Sequence, residues 1–127
     1  MYRPYHLVGL ELAISVLKAG LRGEATGAPR GFYGDAVATA KRDLEVGEVL
    51  DGEGGYTVYG RLQPAVAAAA AGGLPIGLAH SLALIRPVAA NQALCYDDVQ
   101  LDISDPALLL RRQMEPTREF NRKGGLS

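Results

Sequence analysis

Any chemistry in this chain has to come from few residues. Arg3, Tyr5 and His6 stand together ahead of an apolar helical pattern, and a guanidinium fork, a phenol and an imidazole beside a helix N-terminus have the composition of an anion or sugar-phosphate subsite. The competing reading is structural: Tyr5 packs, His6 takes a surface or first-turn position, and Arg3 belongs to a frayed terminus. Gly54, Gly55 and Gly60 bracket Tyr56 and Tyr59. Glycines there let backbone N–H groups approach a ligand, or they turn the chain while the tyrosines pack on a core. Thr26-Gly27 is open to the same two readings. His80 follows an apolar run with no carboxylate at metal-ligand spacing and reads as a hydrogen-bonded structural histidine. Cys95 reads as a small buried hydrophobe. Asp97 and Asp98 adjoin each other, so in a strand they point to opposite faces and cannot share a proton or a metal. Arg111-Arg112 reads as a solvated face in the later turns of a helix.

The elements that must position these residues belong to one ordinary domain, since the chain has 127 residues. Lysine and arginine number 13 against 14 acidic residues, a formal charge of -1, so nothing in the balance attracts nucleic acid or an anionic membrane. Apolar residues at 48% and charged residues at 21% mark a globular chain, and 16 glycines with 7 prolines imply many turns. Cys95 is the single cysteine, which excludes an intrachain disulfide and leaves the two histidines short of a zinc site unless carboxylates or another chain join them. The first residues lack a secretory h-region, and no stretch reaches the ~18 to 20 apolar residues of a membrane helix. A cytoplasmic protein is expected.

Leu7, Leu10, Ile14 and Leu17 recur at helical spacing, with Val8 and Leu21 extending the stripe. This predicts an amphipathic helix from His6 to about Gly20 and Leu21. Arg22 to Tyr33, rich in glycine and proline, is an irregular connection. Ala36 to Ala40 is β-compatible, and Lys41 to Leu50 reads as strand, tight turn and strand, with Gly47 supplying the positive φ. Gly54 to Gly60 is strand-like, the alanines between Gln63 and Gly73 favour a short helix, and Leu74 to Ala79 is turn-rich. Pro106 starts a last helix running through Met114 and Glu115. The chain divides into an N-terminal helix and connection (1–34), a β domain (35–102), and a C-terminal helix and tail (103–127).

The β domain repeats its grammar. Arg86, Val88, Asn91 and Leu94 each lie 44 positions after Arg42, Leu44, Gly47 and Leu50. Asparagine tolerates the left-handed conformation, so Asn91 keeps the turn chemistry of Gly47. Two copies are too few for a solenoid.

The segment from about Val37 to Leu101, with "DLEVGEVL" and "PVAANQALCYDDV", resembles the SAF domain, a β-clip module of sialic-acid synthases, altronate dehydratases and pilus or flagellar assembly chaperones. "YRPYHLVGLEL", "TGAPRGF", "ATAKRDLEVGEVLDGEGGYTVYG" and "GLPIGLAH" are similar to the C-terminal region of bacterial NAD(P)-dependent oxidoreductases with a homoserine-dehydrogenase-like N-terminal half, a family that includes deoxyxylulose-phosphate-reductoisomerase-like enzymes. The resemblance implies an α+β fold, a β-clip (SAF) domain with an N-terminal amphipathic helix and a short C-terminal helix. It implies a C-terminal portion of an oxidoreductase, a fragment or split-gene product, with Arg3, Tyr5 and His6 at the substrate site. The implied partners are the N-terminal dinucleotide-binding and catalytic domains, a small phosphorylated or hydroxylated substrate, and further copies in a homo-oligomer. NAD(P) is the cofactor of the parent family. No strand-G-x-G-x-x-G-helix unit occurs in these residues, so this chain by itself is expected to bind no cofactor and to have no autonomous activity. The alternative is a stand-alone SAF binding or chaperone-like module.

Overall fold

The computed structural model describes residues 7–27 and 31–115. Two units make up the chain, divided between Arg30 and Gly31.

The N-terminal unit holds α1, Val8–Leu17, which runs on into a wider π-helical turn, Lys18–Arg22. Gly23, at φ +61°, closes it in the left-handed conformation, donating its N–H to the Ala19 carbonyl at 3.2 Å. The connection after it is tied back through Thr26, whose hydroxyl donates to Ser15 Oγ at 3.1 Å. The helix predicted to reach Gly20 and Leu21 is therefore present, with its last turn loosened. None of its residues is buried.

The second unit contains β1 (Gly34–Ala40), β2 (Val49–Asp51), β3 (Val58–Pro64), α2 (Ala65–Ala70), β4 (His80–Ala83) and α3 (Pro106–Met114). Short 3-10 turns lie at Ile76–Leu78 and Tyr96–Asp98. The fold is thus mixed helix and sheet, with β1 paired to β3 and β2 paired to β4, both antiparallel. β1 is buried over Val37–Ala40 and pairs on both edges: β3 on one side, and bridges to Pro75 and Ala93 on the other. Among the described residues no helix is long and apolar enough to cross a membrane.

The two turns form where the sequence places them, with Gly47 at φ +87° and Asn91 at φ +65°. Their flanking arms do not pair with each other as hairpins. Each arm pairs with the other copy, reciprocally. Leu44 N–H donates to the Val88 carbonyl at 2.9 Å and Val88 N–H to the Leu44 carbonyl at 3.0 Å. Ala40 N–H donates to Gln92 and Leu84 N–H to Glu48, while Gly47 N–H donates to Leu84 and Asn91 N–H to Ala40. Each of these bonds has its counterpart 44 positions away in both donor and acceptor. The bridge Thr39 to Ala93 likewise mirrors Val49 to Ala83. Within each turn the residue after the left-handed position accepts a backbone N–H with its side chain: Glu48 from Glu45 at 2.7 Å, Gln92 from Ala89 at 3.4 Å. The core forms along this dyad, and Leu44, Leu50, Leu74, Leu84, Val88 and Leu94 are all buried.

α3 starts as the sequence predicts: Asp105 caps it by accepting the Ala107 N–H at 2.8 Å, with Pro106 at its first position. Arg111 corrects the expectation of a solvated face, whereas Arg112 is exposed as expected. Arg111 is largely buried, pairs with the buried carboxylate of Asp35, and lies 4.8 Å from the centroid of the Phe32 ring. Arg112 lies 4.3 Å from the centroid of Tyr96. The helix is clamped to the start of β1 by charge as well as by its buried Leu108.

Candidate functional site

Where the two copies depart from each other, polar groups collect. After β2 of the first copy, the chain makes a glycine-rich excursion, Gly52 to Tyr56, before β3. Asp51 organises it. Its carboxylate accepts the Thr57 N–H at 3.0 Å, the Tyr56 N–H at 2.5 Å and the Thr57 hydroxyl. These donors, the Thr57 hydroxyl foremost, hold the Asp51 carboxyl well below the usual carboxylate range. Gly55 has to be glycine, since a Cβ there would overlap the Asp51 carboxylate. Lys41 reaches in from the end of β1 and donates to the Gly55 carbonyl at 2.5 Å. The loop is therefore held by its own side chains, with Tyr56 projecting 87% exposed at its tip.

His80 and Ser81 lie against this loop. A Cβ on Gly52 would meet the His80 ring at 3.1 Å, and Asp51 and His80 are register partners between β2 and β4. Ser81 holds φ +59°, a conformation that costs an ordinary residue about 1–3 kcal/mol and persists where the surroundings over-determine it. Its Oγ stands 2.8 Å from His80 Nδ1. The counterparts in the first copy are Ala36 and the buried Val37. An apolar position thus becomes, in the second copy, an exposed hydroxyl and imidazole beside the one loop that the second copy lacks. Together the cluster offers an ammonium, a phenol, an imidazole and a hydroxyl, a set suited to hydrogen-bonding an anionic or hydroxylated small molecule. No protein-family model matches the chain, and no curated protein matches it closely enough to name a relative.

The other residues singled out from the sequence fall as follows. Arg3, Tyr5 and His6 lie outside the described residues. Tyr56 does not pack on the core, while Tyr59 is half-buried. Cys95 is half-buried rather than buried, its thiol donating to the Ala71 carbonyl at 3.3 Å. Partial burial, then Asp98 and Asp97, push that thiol up, away from the reactive thiolate. Asp97 and Asp98 stand in a 3-10 turn and not in a strand. They still divide their roles: Asp98 accepts the Cys95 N–H at 2.7 Å and pairs with Arg86 at 3.3 Å, whereas Asp97 meets Arg86 through its backbone carbonyl. Among the described residues no group of His, Cys, Asp and Glu is arranged to hold a metal. The strand ladders among the described residues are antiparallel.

Sequence reasoning passed over Ser81 and Lys41. The positive φ of Ser81 has no sequence signature, because serine is not a residue that announces the left-handed region. Lys41 had one available signal, a cation directly after a β-run that faces a glycine-rich segment.

Proposed function

We propose that residues 31–115 are a β-clip module of the SAF type that serves as the C-terminal part of an NAD(P)-dependent oxidoreductase. The dinucleotide-binding and catalytic domains lie on a partner domain, and this chain contributes to assembly and to one wall of the substrate site. The observation that carries the reading is the meeting of the Gly52–Tyr56 loop with His80 and Ser81. A polar, self-braced surface at the break in an otherwise repeated ladder is where a β scaffold presents a site. Lys41, Tyr56, His80 and Ser81 are the donors available to a small phosphorylated or hydroxylated substrate. The family resemblance also assigns Arg3, Tyr5 and His6 to substrate binding. Antiparallel ladders and short strands support the β-clip assignment. Hydride transfer belongs to the partner domain, where the nicotinamide supplies it.

The test is an NMR titration of the isotopically labelled chain with glycerol 3-phosphate, followed by NADPH. Amide signals of Gly52 to Thr57 and of His80 and Ser81 are expected to move with the phosphate at millimolar concentration, and NADPH is expected to add nothing beyond what its phosphates do. Signals that stay fixed with glycerol 3-phosphate overturn the substrate wall. Micromolar NADPH binding overturns the division between chain and partner domain. Binding of an extended peptide at the same loop would turn the assignment to a free-standing chaperone-like module.

A further inference from the structure

Ser81 occupies a place in β4 where glycine is the ordinary residue. Val49 pairs with Ala83 and Asp51 with His80, so Ser81 and Leu82 together oppose Leu50 in a β-bulge. In the bulge type that uses the left-handed conformation, the first residue is ordinarily glycine, which enters it without a Cβ clash. Here that residue is a serine at φ +59°. A bulge re-aims the side chain that it carries, and Ser81 Oγ stands 2.8 Å from His80 Nδ1. The imidazole is seated as well. A Cβ on Gly52, a glycine at φ +73°, would meet the His80 Cδ2 at 3.1 Å, so the ring rests against the bare backbone of the glycine-rich loop. The matching stretch of the first copy, Ala36 and Val37, pairs with β3 in unbroken register. The shared frame therefore has no need of the bulge, and what the bulge adds is the paired hydroxyl and imidazole.

We propose that Ser81 is a nucleophile for acyl transfer, with His80 as its base, acting on esters of small acyl groups. A serine hydrogen-bonded to an imidazole that is itself held in place is the arrangement that activates a hydroxyl. Both residues are exposed, so an ester carbonyl reaches the oxygen without any segment having to move. An ester is the class that fits, because its alcohol leaving group needs one proton and a single imidazole supplies it. With the ring proton on Nε2, Nδ1 accepts the Ser81 hydroxyl proton as Oγ adds to the carbonyl carbon. The adduct collapses, the ester C–O bond breaks, and the alcohol leaves with the proton returned from Nδ1. Water then gives a proton to the same nitrogen and attacks the acyl-serine, which releases the carboxylic acid and restores Ser81. This pair is independent of the oxidoreductase reading: absence of glycerol 3-phosphate binding leaves acyl transfer standing, and absence of acyl transfer leaves that binding untouched.

The whole chain is assayed with p-nitrophenyl acetate, and the acid-quenched protein is mapped by mass spectrometry. The wild type should release p-nitrophenolate and carry an acetyl group on Ser81. Ser81→Ala and His80→Gln should each lower the rate about hundredfold, and the double variant should lower it no further, since the two side chains act as one unit. Imidazole added to His80→Gly should restore part of the rate beyond its own reaction with the ester, and should add nothing beyond that to Ser81→Ala. Ser81→Gly separates the chemistry from the fold. It should abolish acyl transfer while raising the thermal midpoint by about 4 °C, because the left-handed position no longer carries a Cβ. A wild type no faster than Ser81→Ala overturns the proposal, as does an acetyl group on His80, which makes the imidazole itself the nucleophile. An unchanged or lower midpoint for Ser81→Gly overturns the strained placement of the hydroxyl, and the proposal with it.

Discussion

The two copies of the repeat share turns and buried positions and differ in what surrounds them. In the first copy, Asp35 is buried and bound to Arg111 of α3; its counterpart Ala79 is buried and neutral. In the first copy, Asp51 gathers a glycine loop; its counterpart Cys95 leads into a short turn, where Asp98 takes the capping part that Thr57 takes in the first copy, each accepting the N–H of the residue at that position. The repeat therefore provides the frame, and the differences provide an anchor at one end and a polar cluster at the other. A duplicated frame tolerates such divergence because its stability rests on the shared apolar positions and turns.

That comparison is sharpest at the dyad itself. Leu44→Ala should lower unfolding free energy toward the upper end of about 2–5 kcal/mol, with Val88→Ala costing about 1–3, as measured by urea denaturation. If one substitution were silent, the two copies would not share a core. The anchor should break next. Arg111→Ala leaves Asp35 buried without its partner and should cost about 3 kcal/mol, whereas Ala79, the matching position in the other copy, has no charge to strand. A loss under about 1 kcal/mol, the range of exposed ion pairs, would show that the anchor is solvated. The turns give the smallest effect: Gly47→Ala and Asn91→Ala should each cost about 1–2 kcal/mol, and Asn91→Gly should change stability by less than about 0.5. A thermal shift that differs strongly between the two alanine variants would separate turns that the repeat makes equivalent.

The parts of this fold that were legible in the sequence are those fixed by local rules. Gly47 and Asn91 stood out because few residues accept a positive φ, and Asp105-Pro106 because a cap and a first-turn proline leave a signature. The exchange of arms was not legible, because a strand's partner is chosen by distant packing and a strand, a turn and a strand in sequence look the same whether they close on themselves or on another copy. Asp35 and Arg111 stand 76 positions apart, and nothing local to either marks the pair. The cluster at His80 was only half legible: the glycines and tyrosines were visible, while the backbone strain at Ser81 and the approach of Lys41 arise from the assembled ladder.

The exchange of arms also bears on the order in which the chain becomes a protein. Leu44 and Val88 must find each other across 44 intervening positions, so much of the ladder is non-local, and chains dominated by such contacts fold slowly. During synthesis, at about 5–20 residues per second, the first copy emerges seconds before the second and carries strand edges with nothing to close them. An unpaired edge is a template for any strand that passes. In that interval the nascent chain depends on the charged and turn residues beside its first edge, Lys41, Arg42, Asp43 and Glu45, to keep other strands away until its own second copy leaves the ribosome.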